Sequence, residues 1–525
     1  MRSFFVFLPA LLPALLIVSC ERVDLPSQME DLSGWESVSH GMIQLGEKLD
    51  DPYTVENMTK ALASLYPKSS FSIYGTDMYV RFLPRDDEQY AELESLGLDL
   101  IDHPLDYKIV REGDYYQDPS IPEGEPTWQY AVVPSSFTCP GGIVYEILER
   151  CYIPEHDEVT KTSCGVDWKA VERESFILTG NSDLLGSPDT RAGESVTPSG
   201  SIRIVDEKFS ESIGVAGVKV SANCFVKFAT GYTDEEGEFT LDKSFSTDVR
   251  YRIVFKNKKG FGIGFNLLLV PASISTLGKN PPSGIDVQID ASSDRKLFTR
   301  CVVNNAAYEY FSMCQDADCA ISCPALNLRF WLFQGLSASS AVMLQQGAII
   351  DSGLIKEFLG EYASLVKMFL PDITLGLRDC TSYEDVWSLT MHELAHASHF
   401  QKAGKSYWND YIRYIIESFI TSGWMLYGAG GGTGAGNCAI GEMWAYYMQS
   451  KMLRSHYGSF DTTLGTGYWF YPQIFLYMDE RGMDADKIFK ALSSDVASVD
   501  DLQTKFENLY PEYKSVISMA FNRYL

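Results

Sequence analysis

Five consecutive residues, His392-Glu393-Leu394-Ala395-His396, carry the chemistry most readable in this chain. Only seven histidines occur in 525 residues, and three of them fall between positions 392 and 399. On a helix, four residues advance by about 400°, so His392 and His396 project from one face about 6 Å apart along the axis. Two imidazoles so placed can chelate one ion at about 2.0–2.1 Å each, and zinc then needs a third protein ligand and a position for water. Glu393, next to the first ligand, is placed to take a proton from that water and pass it to a departing amine, the work of a peptide-bond hydrolase. The neighbours Met391, Leu394, Ala395 and Ala397 are uncharged. An acid in such a stretch is costly unless a cation lies close.

The third ligand decides the subclass. A continuation HExxHxxGxxH would need Gly at 399 and His at 402, where the chain has His399 and Lys402. His399 stands seven residues, about 10.5 Å along the axis, from His392 and so belongs to a second shell or the surface. Two later acids lie in apolar text, Glu417 in Tyr414-Ile415-Ile416-Glu417-Ser418-Phe419-Ile420 and Glu442 in Ala439-Ile440-Gly441-Glu442-Met443-Trp444. Either would need a partner there. Glu442 is preferred, because it opens a helix after the glycine-rich run 428–436 and can return to the metal from across a cleft. Tyr446, one turn on, is read as a core tyrosine, with oxyanion stabilisation as the alternative. The glycine run lacks the Lys-Ser/Thr ending of a phosphate loop and is expected to flex over the cleft.

HELAHASHF, then Tyr407-Trp408 through Tyr414-Ile415-Ile416, then GEMWAYYM, resembles a group of zinc-binding metallopeptidase lipoproteins of Gram-negative bacteria. The resemblance covers roughly the last 230 residues. It implies a zincin-like, mainly helical catalytic domain of the gluzincin kind, with His392, His396 and Glu442 as zinc ligands and Glu393 as the general base.

The elements that must hold these residues follow from periodicity and caps. Thr381 and Ser382 can cap a helix whose first turn holds Glu384 and Asp385 and which Gly404 can end. Helical spacing also marks 352–370, 407–426 and 441–453. Leu370 to Leu377 reads as a strand just before the motif helix, and resembles the zincin edge strand that pairs with an extended peptide. Near the N-terminus the pattern predicts a helix over 55–65, a strand over 78–83, a helix over 86–96, and strands at 98–101 and 130–133. Residues 181–200 are rich in Ser, Gly, Pro, Asp and Thr and read as a linker. Residues 201–290 alternate apolar and polar like a β-sandwich. Their segment Gly231-Tyr232-Thr233-Asp234-Glu235-Glu236-Gly237-Glu238-Phe239 resembles the turn of carboxypeptidase regulatory-like domains. The expectation is therefore a multidomain α+β chain. It comprises a signal segment at 1–19, a tether and α+β module at 20–180, a linker at 181–200, a β-sandwich at 201–290 and a metallopeptidase domain at 295–525.

The formal charge of −27, from 43 Lys and Arg against 70 Asp and Glu, argues against nucleic acid as a partner. The first twenty residues place Arg2 before an apolar run too short and too interrupted by proline to span a membrane comfortably. They end Ile17-Val18-Ser19-Cys20, which resembles a lipobox and implies lipidation of Cys20, hence a bacterial cell-envelope protein anchored at the outer membrane or cell surface. Ten further cysteines permit disulfides in an exported chain. The implied partner is a protein or peptide substrate. The alternative is a lipoprotein that binds host glycoprotein or polysaccharide and keeps zinc as a structural ion.

Overall fold

In the computed structural model, residues 42–525 are described except 86, 114–115, 122–126, 158–164, 186–194, 210, 265–273, 293, 336, 338, 349–370, 422–426 and 459–462. Cys20, Cys164 and the helix expected over 352–370 lie outside the described residues. The chain is mixed α/β, with several sheets followed by a helical C-terminal region.

The N-terminal part runs β1 (Gln44–Lys48), α1 (Val55–Leu65), β2 (Asp77–Leu83), α2 (Asp87–Ser95), β3 (Tyr107–Arg111), β4 (Gln129–Pro134), β5 (Val144–Cys151) and α3 (Trp168–Leu178). Thr54 starts α1 by accepting from the Asn57 amide, and Met58, Ala61 and Leu62 supply its buried face. β2 is the centre of an antiparallel sheet ordered β4-β2-β5. The segment expected as a strand at 98–101 is not one. Only Ile101 bridges, to Tyr130, and Leu100 and Ile101 are buried by packing after the left-handed turn at Gly97.

The middle of the chain is β-rich: β6 (Ser199–Asp206), β7 (Glu211–Gly214), β8 (Val218–Cys224), β9 (Lys227–Tyr232), β10 (Glu238–Thr240), β11 (Val249–Asn257), β12 (Gly262–Ile263), β13 (Ile274–Asn280) and β14 (Asp286–Ile289). The turn between β9 and β10 forms for the local reason its residues suggest. Asp234 Oδ1 accepts from the amides of Glu236 at 3.1 Å and Glu238 at 2.8 Å, and Gly237 holds φ +81° where a Cβ would lie 2.2 Å from Ile202 O.

Strands from this region and from beyond residue 295 share one sheet. β12 pairs parallel with β15 (Arg329–Phe333), which pairs parallel with β16 (Ile373–Gly376), giving the order β16-β15-β12-β11-β8-β9 with β13 also on β11. Around its end pack α4 (Arg295–Gln315), α5 (Tyr383–Ala403), α6 (Lys405–Thr421) and α7 (Ala435–Tyr457), followed by four shorter helices to Tyr524. The outer side of β16 is covered. Ser340 N donates to Thr374 O at 2.9 Å, Thr374 N donates to Ser340 O at 2.8 Å, and Met343 N donates to Asp372 O at 2.9 Å. Of the strand expected at 370–377, Ile373–Gly376 forms one and residue 370 lies outside the described residues, but the outermost backbone at this end, among the described residues, is 339–343.

The N-terminal part docks on the sheet with one-sided charge. Lys219 on β8 pairs with Asp99, Arg250 on β11 with Glu112, and Lys256 with Glu94 at 3.1 Å. Lys227 on β9 is fully buried, with Nζ 2.5 Å from Glu155 Oε1 and 3.1 Å from Glu172 Oε1, and Glu172 also accepts from Tyr53 OH. Exposed pairs of this kind contribute little, whereas removing one partner of a buried pair strands a charge. Lys227→Ala is expected to lower the unfolding free energy by about 3–5 kcal/mol in denaturant titration. Lys256→Ala should stay within about 1 kcal/mol of the parent.

Asp51 provides a pH-dependent counterpart. Burial pushes its carboxyl up to about 8 from 3.8, against the opposing bond from Tyr53 N at 2.8 Å. The folded state thus holds a proton that the unfolded chain has released, and stability falls as pH rises between those two values. Asp51→Asn keeps the acceptor for Tyr53 and should raise the thermal midpoint more at pH 8.5 than at pH 5.

Candidate metal centre

α5 is built to be rigid. Ser382 Oγ accepts from Asp385 N at 3.1 Å while Asp385 Oδ2 accepts from Ser382 N at 3.0 Å, a reciprocal cap, and Gly404 at φ +82° ends the helix. Every residue from Val386 to Phe400 is buried, so α5 is a central helix enclosed on all sides. Neighbouring helices fix its rotation. Trp387 Nε1 donates to Glu309 Oε2 at 3.1 Å and Tyr310 OH to Ser398 Oγ at 3.0 Å from α4, while Trp444 Nε1 on α7 donates to Ala395 O at 3.0 Å.

That rotation brings His392 and His396 against Glu442 on α7. His392 Nε2 lies 3.6 Å from Glu442 Oε2, and His396 Nε2 lies 3.5 Å from Glu442 Oε1. The imidazoles stand 4.9 Å apart between centroids at 78°, and all three residues are at most 2% exposed. One ligand atom from each residue can be chosen so that all lie within 4.8 Å of one another. These separations exceed the roughly 2.7–3.2 Å of a direct N–H···O bond. They are close to the roughly 3.4 Å between two ligands held about 2.1 Å from a tetrahedral ion. The donor set fits a divalent metal ion.

The surroundings prepare each donor. His392 Nδ1 donates to Gln449 Oε1 at 3.1 Å, and Gln449 Nε2 donates to Ser388 Oγ at 2.9 Å, which leaves the lone pair of His392 on Nε2, facing Glu442. Tyr411 OH on α6 donates to Glu442 Oε1 at 2.6 Å. Burial disfavours a charged Glu442, but the two imidazoles outweigh it and hold the carboxyl well below the usual range. Burial holds His396 below its ordinary value. It also acts on His392, which the Glu442 and Glu393 carboxylates nevertheless raise.

No family model, curated protein or solved structure matches the chain. The site therefore rests on its own geometry.

Of the residues singled out in the sequence, His392, His396 and Glu442 come together, and Glu393 is buried on the same turn as His392. Glu417 does not join them. It lies exposed on α6, because the buried face of that helix carries Tyr407, Trp408, Tyr411, Tyr414 and Ile415, and position 417 falls outside that stripe. His399 is buried between Tyr407 and Trp408, at ring distances of 5.1 and 5.7 Å, and burial pushes it down to about 3. Tyr446 is 7% exposed, with its ring edge-on to His392 at 4.5 Å. The glycine run is pinned where it begins: Tyr414 OH donates to Tyr427 O at 2.7 Å, Trp469 Nε1 donates to the same oxygen at 2.8 Å, and Gly430 N donates to Tyr414 OH at 3.1 Å. A Cβ on Gly430 would sit 2.6 Å from the Trp469 ring. The nine described cysteines are all free thiols.

Ser388, Gln449 and Tyr411 were not picked out from sequence. The signal existed for two of them, since Ser388 is one turn before His392 and Gln449 two turns after Glu442 on the same face. Glu442→Gln is expected to weaken zinc binding at least 100-fold in chelator competition. Glu417→Gln should leave it unchanged. The reverse pattern would move the third ligand to α6.

Proposed function

We propose that this chain is a zinc-dependent peptidase of the bacterial cell envelope, anchored through a lipid on Cys20. The observation that carries the reading is the buried His392, His396 and Glu442 set with Glu393 on the same helical turn as His392. Zinc suits two imidazoles and a carboxylate, and these three residues would hold it. Bound zinc acts as a Lewis acid toward a substrate carbonyl and lowers the pKa of water. Glu393 accepts a proton from the attacking water on a carboxylate oxygen and delivers it to the nitrogen of the breaking C–N bond, so that acid and amine leave in balance. The gluzincin assignment rests on the same residues together with the sequence resemblance. The division into an N-terminal α+β module, a carboxypeptidase regulatory-like β-sandwich and a zincin-like catalytic domain rests on sequence pattern and resemblance alone, and the sheet that joins β12 to β15 crosses the last of its boundaries. No helix among the described residues is long and apolar enough to cross a membrane.

One observation favours a second reading. The three ligands and Glu393 are at most 2% exposed, which suits a structural zinc in a lipoprotein that binds host glycoprotein or polysaccharide.

Glu393→Gln separates the two. For a peptidase it retains one zinc per chain while cleavage of a broad peptide library falls by about 10²–10⁴-fold, the usual weight of a general base. Unchanged cleavage in that variant, or a zinc-loaded parent that cleaves no library member, contradicts the peptidase reading.

A further inference from the structure

Glu442 is the one carboxylate among the three candidate ligands, and the terminal torsion of a glutamate side chain is broad, so its two oxygens need a partner to fix them. Its Oε1 lies 3.5 Å from His396 Nε2, and its Oε2 lies 3.6 Å from His392 Nε2. A carboxylate swung by a few tens of degrees would change which oxygen faces which imidazole nitrogen. The group that prevents this swing is on a third helix. Tyr411 of α6 is 3% exposed, its ring 5.8 Å from that of His396 and 4.6 Å from that of Trp408, and its hydroxyl is 2.6 Å from Glu442 Oε1. That separation is in the range of a charge-assisted O–H···O⁻ bond, which is about twice as strong as a neutral one.

We propose that Tyr411 is a positioning residue for the metal centre, holding Glu442 Oε1 so that Oε2 is presented to the cation with no rotation needed on binding. The inference rests on the metal reading of this site. The phenolic proton is committed to Glu442, so Tyr411 acts through the ligand and not on the substrate. It completes a shell in which His392 is oriented by Gln449 and Ser388, and Glu442 by Tyr411. Partners of this kind typically contribute 10–100-fold to metal affinity.

The test uses the full chain and zinc alone, with affinity read by competition against a chromogenic chelator. Tyr411→Phe is expected to bind zinc about 10–100-fold more weakly. Its metal-free form should still fold, with a thermal midpoint below that of the metal-free parent, because one charge-assisted bond to a buried carboxylate is lost. Tyr407→Phe serves as the packing control. It removes a buried hydroxyl on the same helix, whose bond goes to Asn437 O at 3.4 Å, and should keep parental affinity. Zinc affinity of Tyr411→Phe within twofold of the parent overturns the proposal, and so does an equal loss in Tyr407→Phe. A parent chain that takes up no zinc overturns the metal centre itself, and with it the role of Tyr411.

Discussion

The arrangement depends on a carboxylate that has been taken fully out of water. Glu442 is 0% exposed and faces two imidazole nitrogens at 3.5 and 3.6 Å. An isolated charge in such a place is unstable, and a single buried acid normally neutralises by taking up a proton. Here the surroundings do the opposite and keep the carboxyl far below its ordinary range. A negative group, a lone-pair donor on His392 and another on His396, all converging at separations too long for direct bonding, are what a divalent cation requires. A bound cation would neutralise this buried carboxylate without either imidazole having to carry a proton on its metal-facing nitrogen.

Everything around the site serves to keep those donors in place. α5 carries both histidines and is clamped by tryptophan and tyrosine side chains to α4 and α7. α7 brings Glu442, α6 brings Tyr411, and β16 packs against α5 with its own outer edge bonded to residues 339–343. Trp408 links these parts, because its Nε1 donates to Ala341 O at 2.9 Å while its ring packs 5.7 Å from His396. Such enclosure makes the donor geometry precise. It also restricts access, which is why burial of the ligands favours a structural ion as well as a catalytic one.

The motif was legible because two histidines four apart on a helix have only one geometric consequence, and the cap at Ser382 and stop at Gly404 fixed the frame. Glu442 was preferred because it was expected to open a helix after the glycine run, whereas α7 already starts at Ala435 and carries Glu442 well inside it; apolar neighbours alone marked it no better than Glu417. The same rule misplaced Glu417, since apolar letters on both sides of a residue do not reveal which face of a helix it occupies. Helix α1 formed within the residues its periodicity predicted, while the strand expected at 98–101 did not form, because pairing there stops at the single bridge from Ile101 to Tyr130. The sheet joining β12 to β15 was not legible at all. Parallel pairing between Gly262 and Arg329 is a long-range contact with no local pattern to announce it. Tyr411 was hidden for a related reason, since a tyrosine in an aromatic stripe reads as core until the carboxylate it touches is known.

The central claim is that two imidazoles and one carboxylate hold a zinc ion. X-ray absorption at the zinc edge on the purified full chain, loaded with one equivalent of zinc, tests it most directly. Zinc held by His392, His396 and Glu442 should show nitrogen and oxygen neighbours only, at about 2.0–2.2 Å, with the multiple-scattering signature of two imidazoles. Sulfur neighbours at about 2.3 Å would place the ion on the free cysteines instead and contradict it.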